Sequence, residues 1–248
     1  VYSAGDVMGL PYIVMRYVDG ETVATLIARN GKIAPARAVE MAKDVCDGLT
    51  HVHERGYIHR DIKPQNLMVE PSGRTVVLDF GILRPIDQSV TSSGIITGTP
   101  AYIAPEQVRS NKQLDGRVDL YALGVTLFEM LTGRLPFHSE SAYELLMKHE
   151  RDAPPRPCAL VPEIPRALES VVLRMLAKDP FLRFQSAEEL KAALTLATLA
   201  SAEVPAGTAS TTRSTTPAAR TKTTTPTSST VAPKPLDLDG VAHSRAPW

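Results

Sequence analysis

Cysteine is scarce: Cys46 and Cys158 are the only two in 248 residues, and neither belongs to a metal-type cluster. That leaves no basis for a disulfide framework or a cysteine-built zinc site, so the expected setting is reducing and cytoplasmic. An excess of either charge is missing too, since 27 Lys+Arg balance 27 Asp+Glu. No overall field argues for nucleic acid, and no basic block argues for a membrane surface. No apolar run is long enough to span a bilayer, and no signal peptide opens the chain. The first residue is valine, which reads either as a non-standard start taken literally or as a chain that begins inside a gene. Apolar residues make up an ordinary 43%, and the length suits one sizeable domain plus a tail.

What the chain does carry is concentrated in one stretch. Tyr57-Ile58-His59-Arg60-Asp61-Ile62-Lys63-Pro64-Gln65-Asn66 leads into strand-like runs, Asn66 to Glu70 and Thr75 to Leu78. Between them lies Pro71-Ser72-Gly73-Arg74, which has turn chemistry, and Leu78-Asp79-Phe80-Gly81 follows. A hairpin pivoting near Ser72 and Gly73 sets Asn66 opposite Asp79, within about a residue or two of register. An amide oxygen and a carboxylate then converge as hard ligands suited to Mg²⁺. A second carboxylate, Asp61, and an ammonium, Lys63, lie on the preceding loop. Metal ligands, a proton acceptor and a cation for anionic oxygens are the equipment of phosphoryl transfer.

His59-Arg60-Asp61-Ile62-Lys63-Pro64-Gln65-Asn66, then Asp79-Phe80-Gly81, then Ala104-Pro105-Glu106, resembles the catalytic loop, metal loop and activation-segment end of eukaryotic-like protein kinases. A lone His-Arg-Asp would be weak; all three motifs in this order and spacing are specific. Gly98-Thr99-Pro100-Ala101-Tyr102-Ile103-Ala104-Pro105-Glu106-Gln107 is most similar to the bacterial Ser/Thr kinases. The resemblance covers roughly residues 1–197 and implies an α+β, protein-kinase-like fold. It places a remnant of the small lobe, about two strands and the hinge, at 1–18 and a mainly helical large lobe at 19–199. Residues 200–248 are Thr-, Ser-, Pro- and Ala-rich and read as a disordered tail. Such a composition cannot bury enough apolar surface to offset roughly 1–2 kcal/mol of backbone ordering per residue.

The same resemblance implies roles residue by residue. Asp61 accepts or orients the proton of a substrate hydroxyl, Lys63 holds the γ-phosphate of ATP, and Asn66 and Asp79 ligate Mg²⁺. Met68 forms the floor under adenine, Met15 falls at the gatekeeper position, the backbones of Arg16 and Val18 meet the adenine edge, and Glu21 reaches the ribose. His59 is a core histidine under Phe80, Asp119 buttresses the catalytic loop, and Glu106 pairs with Arg183. Thr99, ahead of Pro100-Ala101-Tyr102, bonds the catalytic aspartate and lysine and marks Ser/Thr rather than Tyr as acceptor. Charge alone, apart from the resemblance, sets Arg60 and Arg84 as the expected receivers of a phosphate on Thr91, Ser93 or Thr97 that would order the loop. The implied partners are protein substrates and a second copy for autophosphorylation, with no nucleic acid and no membrane span.

Periodicity and turn residues place the remaining elements. Val1 to Met8 and Tyr12 to Val18 read as strands around Gly9-Leu10-Pro11, and Glu21 to Ala28 as a short helix closed by Asn30-Gly31. A longer helix runs from Pro35 to Gly56, with Ala38, Met41, Ala42, Val45, Leu49 and Val52 on one face. His51 and His53 near its end point in different directions and do not read as a metal pair. Ile82 to Thr99 reads as a mobile surface loop. Asp119 to Leu131 is apolar on nearly every side, as a central core helix must be, and Gly133 ends it. Ser141 to His149 and Leu168 to Ala177 are amphipathic, and Ser186 with Glu189 opens a last helix towards Leu199.

Measured against the family, these residues hold no Gly-rich phosphate loop before Tyr12 and no lysine before Lys32. The expectation is an N-terminally shortened kinase sequence with exposed strand edges, weak or inactive by itself. A non-catalytic docking module is the alternative; the missing lobe favours it, and retention of Asp61, Lys63, Asn66 and Asp79 opposes it. A small-molecule phosphotransferase fits less well, because Ala104-Pro105-Glu106 and Thr99 point to protein substrates.

Overall fold

The computed structural model describes residues 2–78, 84–85, 100–109 and 114–202. Asp79, Phe80, Thr91, Ser93, Thr97, Thr99 and the tail from residue 203 lie outside the described residues. Helix α4, Arg117–Thr132, supplies the middle of the core: Leu120, Leu123, Val125, Leu127, Phe128 and Met130 are all buried, as its all-round apolar sequence requires. Gly133 stops it in the left-handed conformation, φ 73°, with its N–H on the Glu129 carbonyl. Around α4 pack α2 (Pro35–His53), opened by its proline, and α7 (Arg166–Met175); α8 (Ala187–Ala202) closes over α2 and α7. The six apolar positions that mark the face of α2 in the sequence are buried without exception.

The shorter elements complete the order. A strand hairpin, β1 (Ser3–Val7) and β2 (Leu10–Val14), comes first, then β3 (Glu21–Thr22) and α1 (Val23–Asn30). β4 (Tyr57–Ile58), β5 (Leu67–Val69), β6 (Thr75–Val77) and β7 (Arg84–Pro85) surround the catalytic-loop sequence. α3 (Pro105–Val108), α5 (Ala142–Arg151) and α6 (Pro157–Leu160) fill out the helical body. Strands pair β1–β2, β3–β5–β6 and β4–β7, all antiparallel.

Several boundaries differ from the sequence reading. The first hairpin turns at Met8-Gly9, with φ of 55° and 78°, not at Gly9-Leu10-Pro11. Pro11 lies inside β2 opposite Asp6; a two-stranded sheet is all edge, so a residue without an N–H is tolerated there. Strand β2 stops at Val14, which leaves Met15 to Val18 as irregular chain. Glu21 is not the start of a helix: it pairs with Val69 in β3, and Thr22 caps α1, its Oγ1 accepting from Thr25 N–H at 3.1 Å. Arg84 belongs to a strand paired with Ile58. At α8, Ser186 Oγ accepts from Glu189 N–H, while the Glu189 carboxylate reaches back to Gln185 N–H, one residue earlier than a regular capping box would.

One buried group makes this body sensitive to acid. His149 of α5 is fully buried, bonded through Nδ1 to the Tyr121 hydroxyl at 3.0 Å, and in edge contact with Phe137. Burial and the neighbouring Lys178 ammonium push its pKa down from 6.5 to about 4. Between those values the unfolded chain binds more protons than the folded one, so stability is full above pH 6.5 and falls towards pH 4. The expected loss is on the order of 2–3 kcal/mol. Urea midpoints measured across this range should slope steeply for the wild type and much less for His149→Gln; parallel slopes would contradict this assignment.

Candidate active site

Strand register places the first functional side chain. Leu67 pairs with Val77, Met68 with Val76 and Val69 with Thr75, around a turn in which Gly73, φ 86°, donates to the Glu70 carbonyl. Carried one step on, Leu78 N–H donates to the Asn66 carbonyl at 2.8 Å, so Asn66 faces Leu78, the residue directly before Asp79. Asn66 closes a 3₁₀ turn that begins at Pro64, its N–H on the Lys63 carbonyl. Ile62 and Leu67, both fully buried, anchor the loop on either side.

Three side chains of this loop converge. Asn66 Nδ2 donates to the Asp61 carbonyl at 2.8 Å and to Asp61 Oδ2 at 2.7 Å. Lys63 Nζ lies 2.9 Å from Asp61 Oδ1 and 2.8 Å from Oδ2. Both amide hydrogens of Asn66 are directed to Asp61, which leaves Oδ1, a hard oxygen, as its remaining acceptor. The Asp61 carboxylate is thus oriented by an amide and charge-balanced by an ammonium, the condition of a proton acceptor held in one rotamer.

Behind the loop stands Asp119, in the first turn of α4 and fully buried. Its Oδ2 accepts from His59 N–H at 2.9 Å and its Oδ1 from Arg60 N–H at 2.8 Å. Arg60 has φ of 65°, a left-handed conformation that costs a non-glycine residue about 1–2 kcal/mol. Two charge-assisted bonds to one carboxylate offset that cost and hold the kink. His59 is a core residue, 0% exposed; its Nδ1 accepts from Asp61 N–H at 3.3 Å, so Nε2 carries the proton and donates to the Leu78 carbonyl at 3.0 Å. The histidine therefore links the loop to the strand end from which Asp79 emerges.

Sequence reasoning missed His53. It sits at the last turn of α2, and its Nε2 lies 2.8 Å from Asp119 Oδ2, packed so closely on Gly116 that a side chain there would meet the ring. Weighing His51 and His53 as a metal pair tested the wrong partner; nothing in local spacing pointed to a residue 66 positions away. Tyr102 was missed likewise: its hydroxyl donates to Glu129 Oε2 at 2.6 Å, and burial raises the pKa of both groups.

The residues expected on the nucleotide side are only partly gathered. Met68 is in the middle of β5, half-buried, with Thr22 as its neighbour on β3. Met15, Arg16 and Val18 lie on the irregular segment after β2, where Arg16 Nη2 reaches Glu70 Oε1 at 2.7 Å. Glu21, expected at a ribose, is held by Arg29 through two 3.0 Å bonds. Arg84 is placed through its backbone beside Ile58, directly ahead of His59. Glu106 and Arg183 form the expected pair, bidentate at 2.7 Å and 2.7 Å and buried.

A carboxylate, an ammonium and an amide thus converge on one loop, which is braced from a central helix. The sequence matches the protein kinase domain family over residues 8–194, and the chain belongs to that family. Among its relatives are the serine/threonine-protein kinase PknB of Mycolicibacterium smegmatis, 41% identical over 201 residues, and PknB of Mycobacterium tuberculosis, 42% identical over 201 residues. Each alignment covers 78% of this chain and 32% of the relative. Serine/threonine-protein kinase PrkC of Bacillus subtilis is 36% identical over 193 residues, covering 77% of this chain and 30% of its own. The chain therefore spans about a third of the length of the curated relatives it matches. Protein kinases as a family use ATP with a divalent metal ion and act on proteins. Among the described residues no helix is long and apolar enough to cross a membrane.

Proposed function

We propose that this chain carries the catalytic lobe of a Ser/Thr protein kinase, transferring the γ-phosphate of ATP to protein serine and threonine hydroxyls. The observation that carries the reading is the convergence of Lys63 and Asn66 on the Asp61 carboxylate. Asp61 takes or orients the hydroxyl proton at its carboxylate; Lys63 is within reach to balance charge on a transferred phosphoryl group. Asn66 Oδ1 fits a hard cation, and Asp79, following the residue that pairs with Asn66, would complete the donor set. Mg²⁺ bound there would neutralise charge on the phosphate oxygens. The relatives' names, all serine/threonine-protein kinases, and Thr99 ahead of the Pro100–Tyr102 turn support the choice of hydroxyl.

Incubation with Mg²⁺, γ-labelled ATP and a mixed protein substrate should place label on serine and threonine, not tyrosine, and EDTA should abolish it. These 248 residues hold no Gly-rich loop before Tyr12 and no lysine before Lys32, so transfer by this polypeptide alone is expected to be slow. Label on tyrosine, or transfer that survives EDTA, would refute the proposal.

A further inference from the structure

Three Asp-Gly pairs lie among the described residues, and the fold treats them differently. Asp47-Gly48 is inside α2, where the helical backbone directs each N–H along the axis, away from the preceding side chain. Asp47 is held in addition by Lys191 Nζ at 2.5 Å. Asp115 accepts from Arg117 N–H at 2.9 Å and from Arg117 Nη2 at 2.6 Å, a grip that fixes its carboxylate at the entrance to α4. Asp19-Gly20 has neither protection. It lies in the irregular chain between β2 and β3, and both residues are exposed. Among the described residues, neither the Asp19 carboxylate nor the Gly20 N–H has a bonding partner.

The chain just beyond this pair is tightly placed. Gly20 has φ of 149°, and a Cβ at that position would run into the Val69 carbonyl oxygen. Glu21, the next residue, pairs with Val69, and Arg16 reaches Glu70 Oε1 at 2.7 Å. Strand β5, which holds Val69, begins directly after Asn66. A longer main chain between residues 19 and 21 therefore has to displace β3 from β5.

We propose that Asp19 is a site of spontaneous modification, becoming isoaspartate through a succinimide formed with Gly20, and that the product detaches β3 from β5. The Gly20 nitrogen attacks Cγ of the Asp19 carboxyl in its neutral form. A C–N bond forms, the Cγ–OH bond breaks, and the hydroxyl leaves as water with the amide proton. Glycine at position 20 has no side chain to obstruct the ring. Water then opens the succinimide. Addition at Cγ restores aspartate, whereas addition at the former main-chain carbonyl breaks that carbon's bond to nitrogen and routes the chain through Cβ and Cγ. Atoms balance, and no reagent other than water is needed. The isoaspartyl chain carries one extra main-chain atom ahead of Glu21, which the Glu21–Val69 pairing cannot absorb in register.

The test needs no activity: the full chain is aged at neutral pH, digested with trypsin and analysed by electron-transfer fragmentation, which separates isoaspartate from aspartate at equal mass. Asp19 should isomerise at least about tenfold faster than Asp47 or Asp115, the factor that one hydrogen bond on a reacting group corresponds to. In concentrated urea the three should proceed at similar rates, because the contrast belongs to the fold. Hydrogen exchange across β3 and β5 should quicken as isoaspartate accumulates, and should hold its starting rate in Asp19→Ser, which cannot form the ring. Equal rates in the folded chain would overturn the proposal, as would a lead for Asp19 that persists in urea. Isoaspartate at residue 19 with unchanged exchange would overturn the detachment of β3.

Discussion

Arg183→Met is expected to destabilise the fold by about 3–5 kcal/mol, a large part of the roughly 5–15 kcal/mol that holds a typical domain folded. The side chain it replaces is 0% exposed and donates through Nη1 and Nη2 to Glu106 at 2.7 Å each. Methionine fills most of the volume but leaves the Glu106 carboxylate buried without its bidentate partner. Three further bonds are lost, to the carbonyls of Ala177, Arg117 and Lys178. The double variant Glu106→Gln with Arg183→Met removes both charges and should recover part of the loss, because a buried ion pair contributes little net of desolvation. Recovery should be incomplete, since the guanidinium's bonds to the three carbonyls are not replaced. Urea titration of the single and double variants measures both quantities. A single variant within about 1 kcal/mol of wild type would show that the pair is not the anchor its geometry implies.

The pair was legible in the sequence because the protein-kinase motif names both partners, although 77 residues separate them. The loop from His59 to Asn66 was legible for another reason: its proline, its buried Ile62 and Leu67, and its polar triad each state a local requirement that the structure meets. The first hairpin was not. Met8 adopts φ of 55°, a conformation no methionine advertises, and while Gly9 does lie in the turn, Pro11 signals a break inside the second strand. Thr22 was hidden in the same way, since a two-residue strand has no period to detect. His53 and Tyr102 illustrate the deeper limit. Each is a polar group whose partner, Asp119 or Glu129, lies on α4, and only the packed helices bring them within bonding distance. A sequence states which groups need partners more readily than which groups supply them.

Asp61→Asn should lower phosphotransfer by roughly 10²–10⁴-fold while changing stability little. Its carboxylate is 12% exposed and lies at the centre of the polar triad, so asparagine occupies the same space and can still accept from Asn66 Nδ2. What disappears is a group able to take up a proton, together with the charge that balances Lys63. The expected signature is therefore a fall in kcat with nearly unchanged KM for ATP, the mark of an interaction used in the transition state rather than in binding. Thermal unfolding of the same variant separates this from a folding defect, for the brace from Asp119 to the His59 and Arg60 amides does not involve Asp61. A docking module built on the same lobe needs Asp119, Glu106 and Arg183 to hold its shape but has no use for a proton acceptor at position 61. Low but measurable transfer that Asp61→Asn leaves untouched would accordingly favour that reading, and a loss confined to kcat would exclude it.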